Sequence, residues 1–317
     1  MSLQESSSND MMSDARFGQD NDDDARALAH TSIQLRMVQA RGLQATLASA
    51  ARMLRLVNDP EYNAMEVTGL VESDPGLATR VLGLANSALF DLRRPCSTVG
   101  HAVALLGGRA LGEIAAAAAL ADLYRSYGLE GRLRSHAMST AAVVRELALQ
   151  LGLPTQDLFL AGLLHDVGKL VLLQSMVPDV YGSAGSTYRG LLDQRLRIVG
   201  GTHPMEQASL GFEHGVLAGV MLSSLGIPEP IPRVIGWHHS VELALQAGGR
   251  AADQVCLLRV ADSLSHAFST PSLVDDAVQS ALMEHVALGF LGVDERSLEG
   301  MASELHHAHF SSRDLLS

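Results

Sequence analysis

The sequence predicts an all-α fold, and three observations carry that expectation. Only 4% of the chain is aromatic although 47% is hydrophobic, so its core is built from Ala, Leu, Val and Met. Such a core suits close-packed helices better than sheet faces. Apolar residues also recur at helical spacing, as in Leu43, Leu47, Ala50, Ala51, Leu54 and Val57. Finally, no segment shows the strict apolar–polar alternation of a half-buried strand.

The elements follow in order. Residues 1–30 read as a disordered acidic leader, rich in Ser, Asn and Asp, with seven acidic residues against two arginines. Such a composition cannot bury enough apolar surface to offset the entropy of ordering. A first helical unit spans 31–128. Its opening helix ends at Asn58-Asp59-Pro60. Asn63 with Glu66 reads as a capping box. Asp74-Pro75 reads as an N-cap followed by a proline at the first helical position, with Leu77, Val81, Leu84 and Ala85 on one face. Ser97 is placed to cap the next helix, which Gly107-Gly108 closes. An Ala-rich helix then runs to about Tyr127.

Gly128–Gly131 marks a boundary, and a second unit spans 129–270. A helix from about Arg132 to Gln150 carries His136 near its start. Gly152-Leu153-Pro154-Thr155 stops it, and Thr155 is placed to cap the next. His165 and Asp166 fall at the end of that next helix or just beyond. Residues 174–204 carry the weakest pattern. His214 opens a helix to Leu225, and the proline-rich connector Ile227–Pro232 leads into a short helix ending at His238-His239. Asp262 lies inside a helix from about Ala251 to Phe268. Two more helices fill 271–317.

A chain of 317 residues with a net charge of −12 and a pI near 5.5 has no general affinity for nucleic acid or anionic membrane. Cys96 and Cys256 are far apart and form no Cys-x-x-Cys pair, as in a reducing compartment. No apolar stretch approaches the roughly 20 residues of a membrane span. The N-terminus lacks a basic region followed by an apolar one. The expected location is the cytoplasm.

The chemistry lies in an ordered series of imidazoles and carboxylates: His136, the adjacent pair His165-Asp166, His214, the doublet His238-His239, and Asp262. These side chain types hold divalent ions near phosphate chemistry. His165 and Asp166 interrupt the apolar run Gly162–Leu170, where unpaired polar groups are costly. Asp262 interrupts another, with Arg259 one turn earlier as a rival partner. The spacings are long, so any site forms by tertiary packing alone. His136, His165, Asp166 and Asp262 would serve a first ion. His214, His238 and His239 would serve a second, with Asp166 bridging. Asp166 and Lys169 are the candidate catalytic residues, Lys169 as the group that neutralises a phosphate. The ions would be Fe, Mn or Zn, one or two per chain. His101, His203, His266, His285, His306, His307 and His309 read as ordinary core or surface residues. Asn86 and Ser87 read as satisfying nearby backbone at a helix end, with a partner or ligand surface as the lesser role.

The order and spacing of the series resemble the HD superfamily of metal-dependent phosphohydrolases. Asp74–Phe90, with its Asp-Pro start and Asn86-Ser87 near its end, resembles the signature of the HD-related output domain, HDOD. Ala102–Gly107, Gly162–Lys169 and Trp237-His238-His239 match further segments of that family. The resemblance covers about residues 40–268. It implies an N-terminal helical subdomain packed on an HD-type helical bundle in a bacterial signal-transduction protein. Such a domain acts through a protein partner or a ligand such as a nucleotide, with a retained metal site. A metal-dependent phosphohydrolase acting on a nucleotide or phosphoester is the alternative. No Gly-Tyr-Pro triplet occurs, so the cyclic-di-GMP phosphodiesterase branch is not a close match.

Overall fold

The computed structural model describes residues 29–59, 61, 63–87, 92, 94–125, 130–175, 188, 190, 192, 201–269 and 285–312. All regular structure among them is helical. Residues 1–28 of the acidic leader and the Gly128 boundary therefore lie outside the described residues, as does most of 174–204, while Ala29 and His30, expected in the leader, open a helix.

The N-terminal half is built on one long element. Helix α1 (29–39) buries Ile33 and Met37. Helix α2 (Arg41–Asn58) buries Leu43, Leu47, Ala51, Leu54 and Val57. Helices α3 (Ala64–Glu72) and α4 (Pro75–Ala85) pack with α2 against α5 (Val99–Arg125). The caps act largely as their residue types dictate. Asn63 accepts from the Met65 amide and Asp74 from the Leu77 amide. The cap of α5 is Thr98, whose hydroxyl accepts from the His101 amide, and not the expected Ser97. Gly107 interrupts α5 with a left-handed φ of 81°, so the helix kinks there instead of ending.

The C-terminal half surrounds α6 (Glu130–Gln150). Against it pack α7 (Leu158–Leu164), α13 (Gly249–Phe268) and α15 (Glu295–Ser312). Thr155 does not cap α7. The preceding residue is Asp157, in the left-handed region at φ 68°, and its carboxylate pairs with Arg250 at 3.4 Å. Helix α8 (Val167–Gln174) follows almost at once. Helix α9 (His203–Leu210) leads to α10 (His214–Ser224), which lies against α8 and α11 (Ile231–Trp237). Helices α12 (Val241–Ala247) and α14 (His285–Leu291) pack on α13.

One hydrophobic core runs through both halves. Two arginines tie them further. Arg55 on α2 donates to the Leu225 carbonyl at 2.5 Å, covering the open end of α10. Arg36 on α1 donates to the Ser175 hydroxyl at 3.1 Å, just past α8. No helix among the described residues is long and apolar enough to cross a membrane.

Candidate metal centre

Three helices and two short links bring the histidine–aspartate series to one place. His136 comes from the second turn of α6. His165 and Asp166 form the two-residue link between α7 and α8, so the sharp turn there presents both inward. His214 opens α10, His238 and His239 follow α11, and Asp262 sits mid-way along α13. Glycines permit the close approach. A Cβ on Gly168 would lie 2.0 Å from the His214 carbonyl oxygen, and one on Gly162 would lie 2.6 Å from the Ala141 Cα. Backbone atoms cannot rotate away from such contacts, so α8 reaches α10, and α7 reaches α6, only with glycine in place.

Asp166 is central. Its Oδ1 is 3.0 Å from His214 Nε2 and 3.4 Å from His165 Nε2, and its Oδ2 is 3.8 Å from His136 Nε2. Asp262 Oδ1 is 2.9 Å from His136 Nε2 and 3.5 Å from His165 Nε2. His239 Nε2 is 3.1 Å from His214 Nε2. Donor atoms of His136, His165 and Asp166 gather within 4.8 Å of one another, and so do those of His214, His238 and His239. All seven residues of the expected ligand series are thus neighbours. His165, Asp166, His214 and His238 are at most 1% exposed.

The residues fit a metal for a specific reason. His165 Nε2, His136 Nε2, Asp166 Oδ1 and Asp262 Oδ1 are turned toward one another in one space, and in the same space His238 Nε2 and His136 Nδ1 are buried without a hydrogen-bond partner. Buried polar atoms are rarely left so. Here they cluster, and the outward atoms of the same rings are fixed. His165 Nδ1 is 2.7 Å from the Gly162 carbonyl and His238 Nδ1 is 2.6 Å from the Ile235 carbonyl. Donation there leaves the Nε2 lone pair facing inward, as a ligating histidine requires.

Sequence reasoning missed Glu206, which is fully buried. Its Oε2 accepts from His214 Nδ1 at 2.7 Å and from the His214 amide at 2.8 Å, while Oε1 accepts from the Tyr188 hydroxyl at 2.7 Å. This carboxylate orients His214 from behind. The mixed pattern of α9 hid it: Glu206 reads in sequence as a first-turn acid favoured by the helix dipole. His203 and His266, read from sequence as ordinary, also belong here. His203 stacks on His239 at 3.9 Å between centroids, and His266 stacks on His136 at 4.0 Å.

The electrostatics divide the set. Burial pushes the His214 ring down, but Glu206 and Asp166 together lift it to about 10. Burial opposes charge on Asp166 too, yet His165 and Lys169 hold its carboxyl well below the usual range. Glu206 is held at about 2, against burial, chiefly by His214. Burial, with neighbouring rings adding to it, keeps His238 and His239 neutral.

Lys169 pairs inside the centre, while Asn86 and Ser87 satisfy backbone at a helix end, the first of the roles expected for them. Lys169 is 4% exposed and its ammonium donates to Asp166 Oδ2 at 2.7 Å, so it neutralises a ligand carboxylate. The Asn86 amide donates to the Cys96 carbonyl and accepts from its N–H at 2.8 and 2.7 Å, and the Ser87 hydroxyl donates to the Leu84 carbonyl. Both side chains thus hold the backbone that follows α4.

Comparison with known proteins defines the class. The HDOD domain profile matches residues 44–241, more than half of the chain, and the chain belongs to the HDOD family. An HDOD domain protein of unknown function from Geobacter sulfurreducens is similar at a TM-score of 0.62 and 22% identity, over 89% of this chain and 99% of that one. A protein from Shewanella amazonensis SB2B, provisionally named a phosphohydrolase, is similar at a TM-score of 0.63 and 20% identity, over 85% and 93% of the two chains. At these identities the likeness is one of fold. An uncharacterised protein of Treponema pallidum (strain Nichols) is 23% identical over 194 residues, 59% of this chain. The match spans 36% of that relative's length.

Proposed function

We propose that this chain is a cytoplasmic signal-transduction output domain whose C-terminal half holds one or two divalent ions, Mn, Fe or Zn, and which acts by contact with a signalling partner. The observation that carries the reading is the convergence of buried imidazole and carboxylate donor atoms of His136, His165, Asp166, His238 and Asp262, with His136 Nδ1 and His238 Nε2 left without a hydrogen-bond partner. A relic without metal would gain stability by losing or pairing them. Metal binding contributes folding free energy directly, so a loaded centre fixes the mutual positions of α6, α8, α10, α11 and α13. Arg55 and Arg36 link that arrangement to the N-terminal half.

The chain's own residues have distinct tasks in this reading. His136, His165, Asp166 and Asp262 would hold one ion; His214, His238 and His239, with Asp166 between, would hold the other. Glu206 and the Gly162 and Ile235 carbonyls keep the rings oriented. Binding contact rather than turnover is favoured by burial. His136 and Asp262 are 5% exposed and the remaining ligands, apart from the half-buried His239, less still.

A second reading is a phosphohydrolase acting on a nucleotide or phosphoester, favoured by the completeness of the ligand set and by the name of the Shewanella relative. Bound ions would supply Lewis acidity and a water acidic enough to ionise near neutral pH. A panel of phosphomonoesters, phosphodiesters and cyclic nucleotides, offered to metal-loaded protein, separates the two. The signalling reading predicts no turnover above a metal-only blank, and loss of output in cells carrying Asp166→Ala. Turnover abolished by Asp166→Ala in folded protein would establish the enzyme instead.

A further inference from the structure

Among the described residues two basic side chains touch the centre, and they are placed differently. Lys169 lies inside, its ammonium on Asp166 Oδ2 at 2.7 Å. Moving it toward an incoming anion would uncover a buried carboxylate, which is costly. Arg259 stands at the edge, one turn before Asp262 on α13, with 20% of its side chain exposed. Its Nη1 is 3.0 Å from His239 Nδ1 and 3.8 Å from Asp262 Oδ2. Arg259 thus touches one residue from each of the two ligand groups. His203, stacked on His239, makes the adjoining wall, and His203, His239 and Arg259 are all partly exposed. This is where the centre meets solvent.

We propose that Arg259 is the anion-binding residue of this centre and that the anion is a phosphate group, free or at the end of a monoester. A guanidinium offers parallel N–H groups that match two oxygens of one phosphate, which an ammonium does not. An oxyanion attracted to ions held by the Asp262 group and the His239 group would arrive within reach of Arg259, which contacts both residues. The role expected of Lys169 from its spacing therefore falls to Arg259, and Lys169 serves Asp166. The inference rests on the metal-centre reading and adds the residue at its edge that meets the anion.

The test uses the full chain loaded with Mn²⁺. Orthophosphate and the non-hydrolysable monoester mimic phenylphosphonate are titrated calorimetrically, and metal is counted on the same samples. Wild-type protein is expected to bind orthophosphate. Arg259→Ala should weaken it at least about tenfold with metal content unchanged, since hydrogen bonds to charged groups are the strong ones. Arg259→Lys should fall between, keeping charge but losing the paired donors. Phenylphosphonate bound with the same Arg259 dependence places an esterified phosphate at the site; orthophosphate alone restricts the ligand to free phosphate. Arg259→Ala that keeps its metal and binds orthophosphate like wild type overturns the proposal, as does metal-loaded wild type that binds none. If Arg259→Ala loses metal, Arg259→Lys decides: weaker binding supports the role and equal binding removes it. Wild-type protein that takes up no metal defeats the metal-centre reading itself, and this inference with it.

Discussion

Replacing Glu206 by Gln keeps the volume at the back of the centre and removes one charge. In wild type, Oε2 accepts from the ring and the amide of His214, and Oε1 accepts from Tyr188. Glutamine can keep its oxygen toward His214 and turn its NH₂ to Tyr188, whose hydroxyl can rotate to accept. The contacts survive; their charge assistance does not. Hydrogen bonds to charged groups contribute roughly 1.5–3 kcal/mol against about 1 for neutral ones. The expected loss of metal-free stability is therefore about 1–2 kcal/mol, a Tm drop of roughly 1.5–3 °C for a chain of this length. The larger effect falls on metal. Loss of a carboxylate behind a ligating histidine weakens affinity about 10–100-fold. Chelator competition monitored by elemental analysis measures it, with thermal scans in chelator alongside. Glu206→Gln with wild-type metal affinity would refute the assignment of Glu206 as the group that orients His214.

Other outcomes follow from the same geometry. Gly168→Ala puts a methyl 2.0 Å from the His214 carbonyl, so α8 and α10 must separate; thermal scans should show a loss of about 1–3 kcal/mol or more, and metal uptake should fall. Asn86→Ala removes both bonds to the Cys96 backbone and should cost about 1–3 kcal/mol while chelator competition shows metal affinity untouched. In metal-free protein, the His214 ring is lifted from 6.5 to about 10 and the Glu206 carboxyl is lowered from 4.5 to about 2. The His214 contribution is complete below pH 6.5 and fades as pH rises through about 10; that of Glu206 is complete above pH 4.5 and fades as pH falls through about 2. His203, His238, His239 and His266 are depressed below 6.5, so their neutral rings lower stability as pH falls below 6.5, and thermal scans without metal should peak near pH 6.5. Metal takes the place of the His214 proton, so loaded protein should hold its Tm above pH 6.5, and uptake at neutral pH should release protons.

The helical class was legible because apolar residues recur at helical spacing in α2 and capping residues stand before α3 and α4. Asp74 with Pro75 and Asn63 needed no tertiary information. Ser97 failed as a cap because its neighbour Thr98 takes that place, and α7 starts without a side-chain cap because Asp157 turns its carboxylate to Arg250. Gly107 was legible as a break but not as a kink, since the helix resumes beyond it. The seven expected ligands could be collected by residue type and order. Glu206, His203 and His266 could not, because their roles arise from contact with residues distant in sequence. Lys169, three residues after Asp166, is as well placed in sequence to pair with that carboxylate as to meet a phosphate, and in the fold its ammonium lies on Asp166 Oδ2.

The account stands most directly on the metal content of the chain. Protein purified without chelator and analysed for Mn, Fe, Zn, Co and Ni should carry one to two equivalents per chain. Asp166→Ala, folded by circular dichroism, should carry far less. Wild type with near-zero metal, refractory to loading with each of these ions, would contradict the central claim and leave the histidine–aspartate cluster without an explanation.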